Sequence, residues 1–162
     1  MTTEASDIPD RIIPAIDIAI WFFGKPPTGV FSLGSASVTD YVQLHLQFKS
    51  GGMVVIDDTA SLPEGGDYFS VMVIGGTGAA YADDHRNMNL IVDGVHPHAI
   101  RTGQGAIDIA GQLQEFLDTV RGEHAPLTPQ DDVEVLQVSD AALGALADGK
   151  VSVWEDGKYE CQ

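Results

Sequence analysis

At 162 residues and 44% hydrophobic content, the chain is long enough for one domain with a sizeable core, and its composition excludes intrinsic disorder. The 24 acidic against 8 basic residues give a formal charge of −16, a surface that repels phosphate backbones and anionic membranes and so excludes nucleic-acid binding. No apolar run reaches bilayer length and no signal peptide opens the chain, so a cytoplasmic protein that does not span a membrane is expected.

The single cysteine, Cys161, argues against a disulfide framework and reads as an exposed, idle thiol. Residues 1–9 are polar and acidic and read as a flexible N-terminus. The stretch Asp10–Pro27 follows. Ile12, Ile16, Ala19, Ile20 and Phe23 recur at helical spacing and predict a buried stripe. Asp10, Pro14, Asp17 and Trp21 fall on a second stripe of the same helix. Gly24 stands at a C-cap position, and Pro26 and Pro27 block continuation. Proline fits best in a first turn, so the regular helix is expected to begin at Pro14, with Asp10 on its approach.

Gly29–Leu33 reads as a short strand, and Asp40–Phe48 as the clearest one. Val42, Leu44, Leu46 and Phe48 alternate with Tyr41, Gln43, His45 and Gln47. Residues 49–52 are turn material, and Met53–Ala60 reads as the hairpin partner. Tyr68–Ile74, Ala79–Ala82, Met88–Val92 and Val95–Ile100 are further strand candidates, joined by a glycine-rich turn at Gly75–Gly78 and by Asp93-Gly94. Gln104–Arg121 is helical in pattern, with an apolar face of Ile107, Ile109, Ala110, Leu113, Phe116, Leu117 and Val120. Thr128 and Pro129 mark the start of a second helix, which runs to about Asp148. Val151–Trp154 reads as a last strand, and residues 156–162 as a C-terminal tail.

The order of helix, antiparallel strands, two helices and strand predicts an α+β fold. An open, mainly antiparallel sheet would carry helices on one face, within a single domain over residues 10–155. No internal repeat or low-complexity stretch appears.

The opening helix with Asp10, Asp17, Trp21 and its Gly-x-Pro exit resembles the start of the C-terminal domain of the Gfo/Idh/MocA oxidoreductases. Gly75–Asp84 resembles that family's Gly-x-x-Gly turn and strand, Phe116–Ala142 its linked acidic and alanine-rich helix, and Gly149–Val153 its closing strand. The resemblance extends from Asp10 to Trp154. In the family the first helix carries Asp-x-x-x-His-x-x-Asp. Here Asp10 and Asp17 match the aspartates and Pro14 stands in the histidine's place, so the usual proton-transfer residue is absent. The family's Rossmann half, with its glycine-rich loop and Glu-Lys-Pro motif, has no counterpart in this sequence.

The candidate chemistry follows. Gly75, Gly76 and Gly78 lack the dinucleotide-loop spacing, and a strand rather than a helix follows them, so a hairpin turn is expected. His96 and His98 with Asp83, Asp84 and His85 are metal-capable residue types, but no third ligand is fixed, and no metal is expected. Asp10, Asp17 and His96 are the candidates for acid–base work, and His96, His98 and Arg101 for ligand binding, in the part of the domain that faces nicotinamide and sugar in the family. Tyr41, Gln43, His45 and Gln47 form a polar row that solvation alone explains, and the resemblance makes it an expected subunit interface.

Two functions are open at this stage. One is a non-redox, stand-alone relative of the C-terminal domain. It would be a homo-oligomer, a dimer or tetramer paired through its sheet, binding a sugar- or polyol-like ligand or serving as the small subunit of a split oxidoreductase. It would bind no cofactor itself, and NAD(P) would enter only with a separate Rossmann-type partner subunit. The alternative is a small cofactor-free isomerase, dehydratase or hydrolase acting on a keto-sugar-like substrate.

Overall fold

The computed structural model describes residues 7–35, 38–60, 69–83, 88–92, 97–101, 105–124 and 129–162. The first helix, α1 (Asp7–Phe23), buries the predicted stripe: Ile12, Ile16 and Ala19 are buried, and Ile20 and Phe23 are partly so. Pro14, Asp17 and Trp21 lie on its exposed side. The helix does not start at Pro14; proline sits inside it. Proline removes one helical donor and crowds the preceding turn. Here its ring is on the solvent side, where water can serve the released acceptor, and the buried isoleucines on either side hold the helix together. Gly24 ends the helix with a positive φ of 65°, its N–H donating to the Ile20 carbonyl over 2.7 Å.

The remaining elements are β1 (Gly29–Ser35), β2 (Val38–Gln47), β3 (Met53–Thr59), β4 (Ser70–Ile74), β5 (Ala79–Asp83), β6 (Met88–Val92), β7 (Pro97–Arg101), α2 (Gly105–Val120), α3 (Pro129–Asp148), β8 (Ser152–Glu155) and β9 (Lys158–Cys161). The fold is α+β and its strand pairs are antiparallel. The strands divide between two sheets rather than forming one, in the orders β3-β2-β1-β8-β9 and β4-β5-β6-β7. The chain itself separates into two compact units, Met1–Leu62 with Leu127–Gln162, and Pro63–Pro126.

In the first unit, α1 and α3 cover one face of the five-stranded sheet. Val30, Val42, Leu44, Leu46 and Ile56 point into that layer and meet Ile12, Ile16, Val135, Val138 and Ala142. α3 lies close to β1 because its inner face is small: Ala141, Ala142 and Ala145 are buried there. Two buried serines use helix carbonyls that this close approach exposes. Ser32 Oγ donates to the Ala142 carbonyl over 2.7 Å, and Ser152 Oγ to the Ala141 carbonyl over 3.1 Å. Arg11 ties α1 to β3, its Nε and Nη2 reaching Asp58 Oδ2 at 2.9 and 2.7 Å. At the hairpin between β2 and β3, the Phe23 ring lies against the Cα of Gly52 and stacks on Phe48 at 3.9 Å, so no larger residue fits at position 52.

Gly144, in the middle of α3, has ordinary room. An added Cβ meets only Cys161 Sγ, at 3.8 Å. Glycine in a helix interior is disfavoured by backbone entropy, so Gly144→Ala is expected to stabilise the protein by about 0.5–1 kcal/mol. Urea unfolding checks this; a lowered midpoint would show that the site is tighter than the geometry indicates.

The second unit is a meander. Val73 pairs with Ala80, Tyr81 with Leu90, and Ile91 with His98. The Gly75–Gly78 segment is the hairpin turn expected of it, with the Gly75 N–H donating to the Gly78 carbonyl over 2.8 Å. On α2 the stripe Ile109, Leu113, Phe116, Leu117 and Val120 is exposed.

The C-terminal tail read from sequence holds a ninth strand. Asp156 and Gly157 both have positive φ, 48° and 87°, the signature of a two-residue type I′ turn. Asp-Gly is the strongest short hairpin signal, and here it folds β9 back on β8. The Asp93-Gly94 turn and the Thr128 cap lie outside the described residues.

Candidate functional site

The helices leave the other face of the five-stranded sheet open. Period-two alternation puts Phe31 and Leu33 of β1, Tyr41, Gln43, His45 and Gln47 of β2, and Met53, Val55, Asp57 and Thr59 of β3 on it. The β2–β3 register sets Gln43 against Asp57, His45 against Val55 and Tyr41 against Thr59.

A connected polar array runs along this face. Tyr41 Oη donates to Asp57 Oδ1 over 2.7 Å, and Gln43 Nε2 donates to the same oxygen over 2.6 Å and to Tyr41 Oη over 3.2 Å. With its amide nitrogen so used, Gln43 offers Oε1 to His45 Nε2 at 2.8 Å, which places the imidazole proton on Nε2. The His45 ring also leans on Phe31, centroid to centroid 6.1 Å. The array ends on a carboxylate that accepts two bonds. These bonds hold the Asp57 carboxyl below the usual carboxylate range, the Gln43 amide contributing most, then the Tyr41 hydroxyl, with His45 nearby, against a small opposing effect of burial. The same contact raises the Tyr41 phenol above its ordinary value, since ionising it would lose the bond to Asp57.

Gln43→Leu is expected to move the Asp57 midpoint up towards the ordinary carboxylate range, because the largest of its supports is removed. A depressed carboxyl stabilises the fold above its unfolded value near 3.9, and that contribution is lost as pH falls through the folded value. The variant therefore loses less stability than the parent on acidification below about pH 4. NMR titration of the Asp57 carboxyl carbon measures the midpoint; an unmoved midpoint would leave Tyr41 as the sole support.

Around the array stand exposed apolar side chains: Leu33 at 46%, Val55 at 46% and Met53 at 67% exposure, with Tyr41 itself at 48%. The interface row read from the sequence thus lies on one face, and Tyr41, Gln43 and His45 share one network. Asp57, Val55 and Met53 were not in that reading, although the alternation of β3 carries them.

The other predicted residues are distributed as follows. Asp10 and Asp17 both lie on α1, two turns and about 10 Å apart along the axis, with Asp17 exposed. His98 and Arg101 lie on β7 in the second unit, opposite Ile91 and Met88. His96 lies outside the described residues. Among the described residues no three metal-capable side chains stand together, and no helix is long and apolar enough to cross a membrane.

No family profile matches the sequence, and no curated protein does. Solved structures match it. An aldose–aldose oxidoreductase from Caulobacter crescentus, complexed with glycerol, is 18% identical with a TM-score of 0.72, over 88% of this chain and 45% of that one. The chain shares the fold of about half of that structure. A UDP-N-acetylglucosamine 3-dehydrogenase from Acidithiobacillus ferrooxidans is 19% identical with a TM-score of 0.68, over 91% of this chain and 49% of that one. A levoglucosan dehydrogenase, solved with NADH and levoglucosan, is 15% identical with a TM-score of 0.72, over 89% and 49%. The chain spans about half the length of the structures it matches. These neighbours are of the Gfo/Idh/MocA type, so the expected fold class holds over that half.

The Gly75–Gly78 turn is not a dinucleotide-binding loop. A dinucleotide pyrophosphate needs a glycine-rich turn leading from a strand into a helix N-terminus. The Gly75–Gly78 turn joins two antiparallel strands instead, with the Gly75 amide bonded inside the turn.

Proposed function

We propose that these residues form the substrate-side and oligomerisation half of a Gfo/Idh/MocA-type oxidoreductase, paired with a second copy through the open sheet face. The observation that carries the proposal is that face: a pre-ordered polar array, Tyr41–Asp57–Gln43–His45, inside a frame of exposed Leu33, Met53 and Val55. Monomeric surfaces seldom keep such a frame uncovered, and polar groups already fixed to one another lose little freedom on pairing. In this reading the chain does no redox chemistry alone, and NAD(P) is held by a Rossmann-type domain outside these residues. The neighbours include an aldose–aldose oxidoreductase, a UDP-N-acetylglucosamine 3-dehydrogenase and a levoglucosan dehydrogenase, which supports a sugar- or polyol-like ligand, with His96, His98 and Arg101 as its candidate contacts.

The test is affinity capture from the native host, followed by the mass of the intact complex and an assay of NAD reduction with polyols. A complex containing a Rossmann-type polypeptide and two copies of this chain is expected, with activity only in the complex. A monomer without partners, or NAD-linked oxidation by the purified chain alone, would overturn the reading.

A further inference from the structure

The open face of the five-stranded sheet carries its charge unevenly. On β1, β2 and β3 it holds one carboxylate, Asp57, one imidazole, His45, and no lysine or arginine. We infer, resting on the sheet-to-sheet pairing proposed above, that His45 takes up a proton when two such faces close, so that the pair tightens as pH falls and loosens as it rises.

Pairing covers Asp57 in both copies. Its Oδ1 already accepts from Gln43 Nε2 over 2.6 Å and from Tyr41 Oη over 2.7 Å. Both donors are neutral, so they satisfy the oxygen without cancelling its charge. A covered charge without a counter-charge is costly. His45 is placed to supply one. Its Nε2 donates to Gln43 Oε1 over 2.8 Å, and the nitrogen of that same amide donates to Asp57. In this tautomer Nδ1 carries the lone pair of the ring. A proton added at Nδ1 leaves the Nε2 bond in place and makes it charge-assisted. The array then runs from imidazolium through amide to carboxylate, with no net charge and no exchange of partners. Histidine is also the side chain that ordinarily changes charge between pH 5 and 8.

The groups around His45 offer no substitute. Across the strands it faces Phe31 on β1, 6.1 Å away between ring centroids, and Val55 on β3, and neither titrates. Along β2 its neighbours on the face are Gln43 and Gln47. Tyr41 is titratable, but its bond to Asp57 raises the phenol and keeps it neutral. Lys49 is exposed in the turn beyond Gln47. Past β1, the face continues with Glu155 of β8 and with Lys158 and Glu160 of β9, where Lys158 is bonded to Glu160 over 2.8 Å. On the helix side of the sheet, Arg11 is bonded to Asp58.

Two effects compete for the sign. Burial alone disfavours an imidazolium. Asp57, however, is held below the usual carboxylate range and stays ionised throughout the histidine range. Its charge is covered in either case, and covering it together with a counter-charge costs less than covering it alone. The pair therefore binds more protons than two separate chains, and linkage makes its association constant rise as pH falls.

Sedimentation equilibrium of the full chain from about pH 8 to about pH 5.5 measures this rise. Salt at about 0.5 M shortens the Debye length to about 4 Å, which screens the general repulsion between two chains of charge −16 and spares covered groups. The parent is expected to associate about tenfold or more tightly at the acid end. His45→Gln keeps an amide donor for Gln43 but has no titrating group, and its constant is expected to change less than about threefold over the same range. Asp57→Asn is expected to be equally flat, and to associate more tightly than the parent at about pH 8 because no carboxylate is covered. Circular dichroism checks the fold at each pH. A parent constant that is flat or falls on acidification, or either variant keeping the parent's profile, would overturn the proton linkage and leave the pairing standing. Absence of association at every pH would overturn the pairing, and the linkage with it.

Discussion

Leu46→Ala is expected to cost about 3–4 kcal/mol of stability. Leu46 has no exposed surface and sits in the central part of the first unit's sheet, with Val30 beside it on β1 and Val54 on β3. The helices cover that face, so neighbours on both sides are fixed, and the void left by the removed methyl groups cannot collapse. Transfer and cavity costs then add. Leu33 is the control. It lies on the opposite face, 46% exposed, and its truncation is expected to cost less than about 1 kcal/mol in the monomer. Guanidinium unfolding under conditions that keep the chain monomeric gives both numbers. Equal losses would mean that the open face is not open, or that α1 and α3 do not form the core.

The contrast between these two leucines also shows where the sequence was informative. β2 was readable because its alternation runs unbroken through Val42, Leu44, Leu46 and Phe48, and all four are buried. The α1 stripe was readable for the same reason, at helical period. Pro14 misled because its local preference for a first turn was outweighed by the burial of Ile12 and Ile16 on either side. β9 was missed because Lys-Tyr-Glu-Cys offers little apolar pattern, although the Asp156-Gly157 turn stood in plain view. The division into two sheets was not legible, because pairing partners beyond a hairpin are a tertiary choice.

The candidate site was half legible for a related reason. A row on one strand can be read from alternation, whereas Asp57 joins it only through the register of two strands. That register follows from the hairpin closing Gln47 against Met53: each step back along β2 is a step forward along β3, which brings Gln43 to Asp57. The turn at residues 49–52 was recognised, so Asp57 was within reach of the sequence. The candidates Asp10, Asp17, His98 and Arg101 came from the family resemblance, and they sit on elements of two different units.

Val55→Glu is expected to weaken self-association about 100-fold or more while leaving the monomer folded. Val55 pairs with His45 across the strands and lies within the frame around the polar array. In the monomer it is 46% exposed, so a carboxylate there remains hydrated and the change costs under about 1 kcal/mol, mostly lost strand propensity. In the paired state the same carboxylate is pressed into a covered apolar frame. Asp57 follows two residues along the same strand face, already ionised and held below the usual carboxylate range. Neither charge then has solvent, and a desolvated charge without a new partner costs several kcal/mol. Sedimentation equilibrium across a concentration series measures the association, and circular dichroism confirms the fold. A folded Val55→Glu protein that associates as tightly as its parent would place the oligomer contact on another surface, and the polar array would then be an ordinary solvated sheet face.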